Sequence, residues 1–346
     1  MPPYGYIPHM KICVFGAGSI GCYVGGRLAA TGADVTFIGR QRLVVEARQH
    51  GLHLTDWQGA DLRVAPADIR FETSPDAVRS ADLVLVTVKS AGTEEVARDL
   101  TQLLKPGAVV ISFQNGIHNA EVIRSHNVGA TVITGMVEFN VINRGQGAFH
   151  HGTEGGLDVQ GHPALEPYEP VFEKAGLKLR QHTDMTGVMW AKLQLNLNNA
   201  INALAGIPLK EELSQRAFRR CIAMAQRELL RLLDAARIRP TRLKLPPSWI
   251  PTLLEVPDAL FERLAGRMLA IDPLARSSMW EDLQAGRATE IDYLNGEVVK
   301  LAQSLGRTAP VNGRLVALVL EAEKGGKRDW TGEELLKELR RSVRPE

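Results

Sequence analysis

The chain has 346 residues, of which 45% are hydrophobic and 23% charged, with a formal net charge of +2. That length can carry two domains with cores of their own, and the near-neutral balance argues against nucleic acid or an anionic membrane surface as the main partner. No apolar run approaches a membrane span, and the three cysteines (Cys13, Cys22, Cys221) have no metal-ligand spacing and give no disulfide framework, which fits a reducing cytoplasm.

Residues 1–9, with Pro2, Pro3 and Pro8, lack the basic start and apolar centre of a signal peptide and read as a disordered extension, with Met10 a candidate start. Ile12 to Phe15 is a mostly apolar, β-prone run, as expected of a parallel strand covered on both faces. Gly16-x-Gly18-x-x-Gly21 follows at once, and Cys22, Val24, Leu28 and Ala29 then recur at helical spacing. The segment Gly16-Ala17-Gly18-Ser19-Ile20-Gly21 is therefore a strand-to-helix turn. Its first glycine permits the bend, its second lets a pyrophosphate approach the backbone, and its third allows the helix to lie close on the strand. The helix start offers N–H groups and the positive end of its dipole to phosphates. A glycine-rich turn without a ligand is the alternative, but a second strand, Asp34 to Ile38, closes a βαβ unit of the required length. Where an NAD enzyme carries Asp or Glu for the ribose 2′-OH, this chain has Gly39-Arg40. An arginine there pairs with a 2′-phosphate, which predicts NADP(H); the competing reading is a solvated surface arginine.

Gly51 to Thr55 and Asp61 to Val64 read as a hairpin pair, Asp82 to Val88 as the strongest buried strand, and Ala108 to Phe113 as another, with a helix from about Thr93 to Leu104 between them. Thr131 to Asn140 adds a strand. The alternation predicts a doubly wound parallel sheet, whose ligands bind at the carboxyl ends of its strands. Lys89 and Asn115 fall just past two such ends and are candidate ligand contacts; a loop lysine and a turn residue before Gly116 are the plain alternatives. Glycine-rich residues 144–160 suggest hairpins ending the sheet. His150 and His151 are adjacent there, so they point to opposite faces and do not share a metal. A short strand from Gly176 to Arg180 closes a first domain, residues 10–182.

Residues 183–346 change to helical character. The stretch from Trp190 to Leu204 is an apolar helix carrying Lys192, Asn196, Asn198, Asn199 and Asn202. Unpaired buried amides are expensive, so these side chains either bond internally or are exposed, as a cleft lining or a solvated face. Lys192, Asn196 and Asn199 are spaced i, i+4 and i+7 and share one face. A long amphipathic helix is expected from Leu213 to Arg237, and the proline-rich segment from Pro240 to Pro257 as a loop or broken helices. Helix-like stretches follow from Ser277 and Glu290, and Thr331-Gly-Glu-Glu334 is a capping box for a small terminal helix.

Taken together, the glycine turn, Val86-Thr-Val-Lys89, Gln114-Asn115-Gly116, Trp190-x-Lys192-Leu-x-x-Asn196, Ser277-Ser278-Met and Thr289-Glu290-Ile-Asp-Tyr-Leu-Asn295-Gly296 resemble ketopantoate reductase (2-dehydropantoate 2-reductase). The motifs stand in the family's order from about Met10 to Leu320. The resemblance implies an N-terminal Rossmann-type doubly wound α/β sheet followed by an all-helical C-terminal domain, 6-phosphogluconate-dehydrogenase-like. It also implies NADPH-dependent reduction of a keto acid, 2-dehydropantoate to pantoate. By the same resemblance Lys192 is the catalytic lysine and general acid, and Glu290 the catalytic glutamate. Asn115 contacts cofactor and substrate, Asn196 and Ser278 contact substrate, and Arg40 and Lys89 face the 2′-phosphate side of NADPH. One departure stands out: Ala200 occupies the position of a second family asparagine, and Asn199 is the neighbour able to reach the same cleft. That change and the proline-rich segment leave room for a sibling reductase of another 2-keto or 3-hydroxy acid or of an imine; a non-catalytic NADP(H) sensor is the rival from a different class. Family members are often dimers, so the resemblance implies a possible homodimer.

Overall fold

The computed structural model describes residues 10–126, 128–264, 266 and 275–343. The expected extension at 1–9 lies outside them. The chain forms two compact units that divide between Met185 and Thr186.

The first unit begins with β1 (Lys11–Phe15), α1 (Ser19–Ala30), β2 (Asp34–Ile38), α2 (Gln41–His50), β3 (Leu52–Asp56), β4 (Asp61–Val64), β5 (Arg70–Glu72) and β6 (Leu83–Val86). It continues through α3 (Thr93–Leu103), β7 (Val109–Phe113), α4 (Asn119–Ser125), β8 (Thr131–Val137), β9 (Val141–Gly145), β10 (Ala148–His151), β11 (Leu157–Gln160), α5 (Glu169–Lys174) and β12 (Leu179–His182). The main sheet has eight strands in the order β12-β11-β8-β7-β6-β1-β2-β5, and only the β8–β11 pairing is antiparallel. Its central strands are buried throughout because helices cover both faces. Alternate residues serve opposite faces: Ile12, Val14, Leu83, Leu85, Val109 and Ile111 join one core, while Cys13, Phe15, Val84, Val86 and Val110 join the other. All three cysteines are buried and free, and burial pushes the Cys13 thiol up to about 12.

Two expectations shift. The glycine-rich residues 144–160 do not simply end the main sheet. There β9 and β10 join the β3–β4 hairpin in a separate four-stranded sheet, β4-β3-β10-β9, and β11 alone returns to the large one. Phe149 and Leu54, paired in register, bury into the same core as α1, which is what draws β10 to β3. The last strand also begins later than Gly176. That glycine, at φ +68, ends α5, with Leu177 N–H returning to the Phe172 carbonyl at 2.9 Å. His151 is buried beside Phe139 and Tyr23, whereas His150 bonds Thr55 at 2.8 Å, so the two do face apart.

The second unit is helical. It comprises α6 (Met185–Asn196), α7 (Asn198–Ala205), α8 (Leu209–Ser214), α9 (Arg216–Ala235), α10 (Ile250–Glu255), α11 (Asp258–Leu264), α12 (Ser278–Gln284), α13 (Asn295–Ser304), α14 (Pro310–Glu323) and α15 (Gly332–Ser342). The asparagine-rich stretch is two helices, interrupted at Leu197. The long amphipathic helix is divided too, because Gln215 is extended (φ −97°, ψ 116°) and separates α8 from α9. Around α9 pack α10 and α15, and α7 packs against both α12 and α14. No helix among the described residues is long and apolar enough to cross a membrane.

The terminal capping box is formed: Glu334 N–H donates to Thr331 Oγ1 at 3.3 Å, and Thr331 N–H donates to Glu334 Oε2 at 3.0 Å. It starts a helix whose Leu335, Leu336 and Leu339 are buried. Thr331→Ala should therefore lower stability by about 1 kcal/mol, read as a lower urea midpoint, with cofactor affinity unchanged.

Candidate active site

The glycine turn is stitched to its neighbours through the backbone. Gly16 N–H and Ala17 N–H both donate to the Ile38 carbonyl, at 3.1 and 2.9 Å, so the turn is tied to the end of β2. Thr87 Oγ1 donates to the Gly16 carbonyl at 2.7 Å, and Thr87 N–H to the Phe15 carbonyl at 2.9 Å, which ties it to the end of β6. Gly16 has φ +111, and a β-carbon there would stand 2.5 Å from Val88 N. A β-carbon on Gly21 would meet the Gly16 carbonyl oxygen at 2.4 Å. At Gly18 the situation reverses: the residue is exposed, and an added β-carbon would meet no atom within 4 Å. The second glycine thus presents open backbone immediately before Ser19, Ile20 and Gly21, the first residues of α1, whose N–H groups precede the helical ladder. These residues fit a dinucleotide pyrophosphate.

Arg40 stands one residue past Gly39, whose own β-carbon position lies 2.9 Å from Ala17 Cβ. The close passage of β2 beside the turn is what brings Arg40 near it. Its side chain is exposed and makes no ion pair among the described residues. Lys89 is exposed in the short turn after β6 and precedes a 3-10 helix at Ser90–Gly92. Asn115 follows β7, the next strand of the sheet. Its carbonyl accepts from Ser90 Oγ at 2.8 Å and from Asn119 Nδ2. Gln114 Nε2 donates to the Val88 carbonyl at 3.1 Å, so the loops after β6 and β7 are joined to each other.

In the second unit α6 carries Lys192 and Asn196, both half-buried, and α7 carries Asn199, also half-buried. Asn202 is fully buried and bonded internally. Its Oδ1 accepts from Ser277 N–H at 2.8 Å, and its Nδ2 donates to the Ile207 carbonyl at 3.0 Å and to Glu212 Oε2 at 2.6 Å. Asn202 therefore follows the internal-bonding reading. Ala200 is fully buried, so the position that departs from the family pattern points into the core.

The serine pair divides. Ser277 is buried and caps α12, accepting from Trp280 N–H at 3.1 Å and donating to the Asn199 carbonyl at 3.3 Å. Ser278 is exposed at the first turn of α12. Asn199 and Ser278 are thus brought to one neighbourhood by main-chain and Asn202 contacts. Glu290 precedes a 3-10 helix at Ile291–Tyr293, and the preceding Thr289 N–H donates to Glu323 Oε1 at 2.8 Å, which anchors this carboxylate's segment to α14.

Sequence reasoning missed Thr87, Asn119, Asn202 in its supporting role, and Glu212. Thr87 lies inside a motif already singled out, whereas nothing near Glu212 marks that carboxyl as buried.

A profile of the family described as "Ketopantoate reductase PanE/ApbA" matches residues 12–163, and one described as its C-terminal part matches 184–323. A "2-dehydropantoate 2-reductase" of Halobacterium salinarum is 28% identical over 92% of this chain and 100% of its own length. Among solved structures, a PanE/ApbA family ketopantoate reductase from Ralstonia eutropha is 30% identical, with a TM-score of 0.78, over 91% of this chain and 99% of its own. D-mandelate dehydrogenase, solved with NADH and anilino(oxo)acetate, shares the fold at 21% identity and a TM-score of 0.76, over 91% of this chain and 99% of its own.

Burial pushes the Glu212 carboxyl from its ordinary 4.5 up to about 8, against the opposing bonds from Asn202 and Asn198. The folded state therefore holds a proton that the unfolded chain releases. This contribution to stability is complete below about pH 4.5 and is lost as pH rises through about 8. Glu212→Gln, which stays neutral, should flatten the fall in thermal stability between pH 5 and 9; an unchanged pH profile would exclude a buried proton there.

Proposed function

This chain belongs to the ketopantoate reductase family of oxidoreductases, and on that premise we propose that it reduces 2-dehydropantoate to pantoate with NADPH. The observation that carries this reading is the span of the match: it runs through both units, over the glycine turn and over Lys192, Ser278 and Glu290 alike. A protein that only sensed NADP(H) would need the first unit alone.

Gly16 to Gly21 hold the pyrophosphate, with Gly18 giving it access to the backbone and the α1 start supplying N–H donors. Arg40 and Lys89 bind the 2′-phosphate side, where a guanidinium can form a paired contact and an ammonium a point contact. When bound, the reduced nicotinamide supplies hydride to the carbonyl carbon. Negative charge then grows on the carbonyl oxygen. Lys192 stabilises that oxygen as a cation and donates its proton to it, so one side chain serves as electrostatic partner and general acid. Glu290 accepts a hydrogen bond from the substrate hydroxyl. Asn196, Asn199 and Ser278 donate to the carboxylate, and Asn115 orients cofactor and substrate. Because Ala200 is buried, the carboxylate contacts of this chain rest on Asn199 in its place, and the keto acid is the point at which a sibling reductase would differ.

A panel of 2-keto acids assayed by NADPH oxidation tests the substrate, and 2-dehydropantoate should give the highest kcat/KM. Lys192→Ala should lower turnover by about two powers of ten or more while NADPH affinity stays near wild type; undiminished turnover would remove Lys192 from the chemistry. Arg40→Ala should narrow the preference for NADPH over NADH in kcat/KM, and a preference that persists unaltered would assign the 2′-phosphate elsewhere.

A further inference from the structure

Beneath the loops that follow β6 and β7 lies a run of buried polar side chains: Ser112, Gln114, Thr93, Asn119 and Ser90. Its hydrogen-bond direction is set by the carbonyls it meets, since a carbonyl can only accept. Gln114 Nε2 donates to the Val88 carbonyl at 3.1 Å, so Gln114 Oε1 is the acceptor for Ser112 Oγ at 2.8 Å. The second Gln114 N–H goes to Thr93 Oγ1 at 2.8 Å, and the Thr93 hydroxyl lies 2.8 Å from two acceptors, Asn119 Oδ1 and the Ser90 carbonyl. Asn119 Nδ2 then donates to Ser90 Oγ at 3.1 Å and to the Asn115 carbonyl. The Ser90 hydrogen goes to that same carbonyl at 2.8 Å. Each donor has an acceptor, and the run ends on one oxygen that receives two bonds. Such a chain is mutually polarised, and both amides have a single orientation.

That oxygen belongs to the peptide joining Asn115 to Gly116. The peptide is trans, so Gly116 N–H is antiparallel to the Asn115 carbonyl. With the carbonyl drawn into the buried run, the N–H faces away from it. Among the described residues it meets no acceptor.

We propose that this run is a positioning device that presents Gly116 N–H as a main-chain donor to a ligand oxygen at the strand ends. The oxygen is that of a carboxamide or of a keto acid. Ser90 and Asn119 are its positioning residues: neither touches the ligand, and each fixes the plane of the peptide that does. The inference rests on the reading above that this edge of the sheet is the ligand edge.

The test compares Ser90→Ala, Ser90→Thr and Asn119→Ala with wild type. It uses NADPH dissociation constants from fluorescence titration, steady-state kinetics with 2-dehydropantoate, and melting temperature. Losing one donor to the Asn115 carbonyl should cost about tenfold in binding or kcat/KM in both alanine variants, and Ser90→Thr should restore most of it. A loss already present in the NADPH constant assigns the donor to the carboxamide. A loss confined to keto-acid KM or kcat assigns it to the keto acid. Lower melting temperatures with binding and kinetics unchanged overturn the proposal, and so does a Ser90→Thr protein as impaired as Ser90→Ala. Should Asn119→Ala fail to fold, the Ser90 pair decides. A wild-type protein that binds no NADPH overturns the reading of the strand ends, and this inference with it.

Discussion

The absence of a side chain at Gly21 is the constraint on which the first unit depends. A β-carbon there would stand 2.4 Å from the Gly16 carbonyl oxygen and 2.6 Å from Thr87 Oγ1. Only hydrogen lets α1 descend onto the end of β1. That approach lets Thr87 hold the Gly16 carbonyl and lets the Ile38 carbonyl hold the N–H groups of Gly16 and Ala17. Three strand ends, β1, β2 and β6, are thereby gathered at one turn, with the open backbone of Gly18 among them. Burial on both faces of the sheet then fixes the strands that carry the turn.

The second unit solves a different problem, since it must keep polar groups inside a helical core. It does so by giving the buried amide of Asn202 three partners drawn from the turn after α7, from α8 and from the segment before α12. A fully satisfied buried amide is demanding of geometry, so the bonds that relieve it also set where Ser277 and Ser278 begin their helix. One set of bonds thus both satisfies the core and places the start of α12. Glu228 acts similarly at the start of α14, where its carboxylate accepts from Val311 and Asn312 N–H at 3.0 and 2.8 Å. Glu323 on the same helix accepts from Thr289 N–H at 2.8 Å, which ties the segment carrying Glu290 to α14.

What could be read from the chain follows from the range of the forces involved. The strands β1, β6 and β7 are legible because mostly apolar runs are a local signal of burial on both faces, and β2 because it follows the helix at the spacing a βαβ unit requires. The glycine turn is legible because each glycine answers a steric demand within a few residues of itself. The pairing of β10 with β3 was not legible, since Ala148 and His53 are neighbours in the sheet but far apart along the chain, and no local pattern encodes that partner. Nor were the interruptions at Leu197 and Gln215, where apolar periodicity continues across a break that tertiary packing imposes. The asparagine-rich helices show the limit most clearly. Their sequence states that the amides must be satisfied or exposed, and it contains nothing to say which.

The sequence by itself determined the alternation of strands and helices, the turn able to admit a phosphate, and the residue types able to stabilise an oxyanion. These are properties of neighbours along the chain. Only the tertiary structure decided that Asn202 is a strut while Asn199 stays half-buried, that Glu212 lies in the core, and that Ser90 and Asn119 close on one carbonyl. Those outcomes depend on groups distant along the chain meeting where water is excluded, and a hydrogen bond is assigned its partner only there.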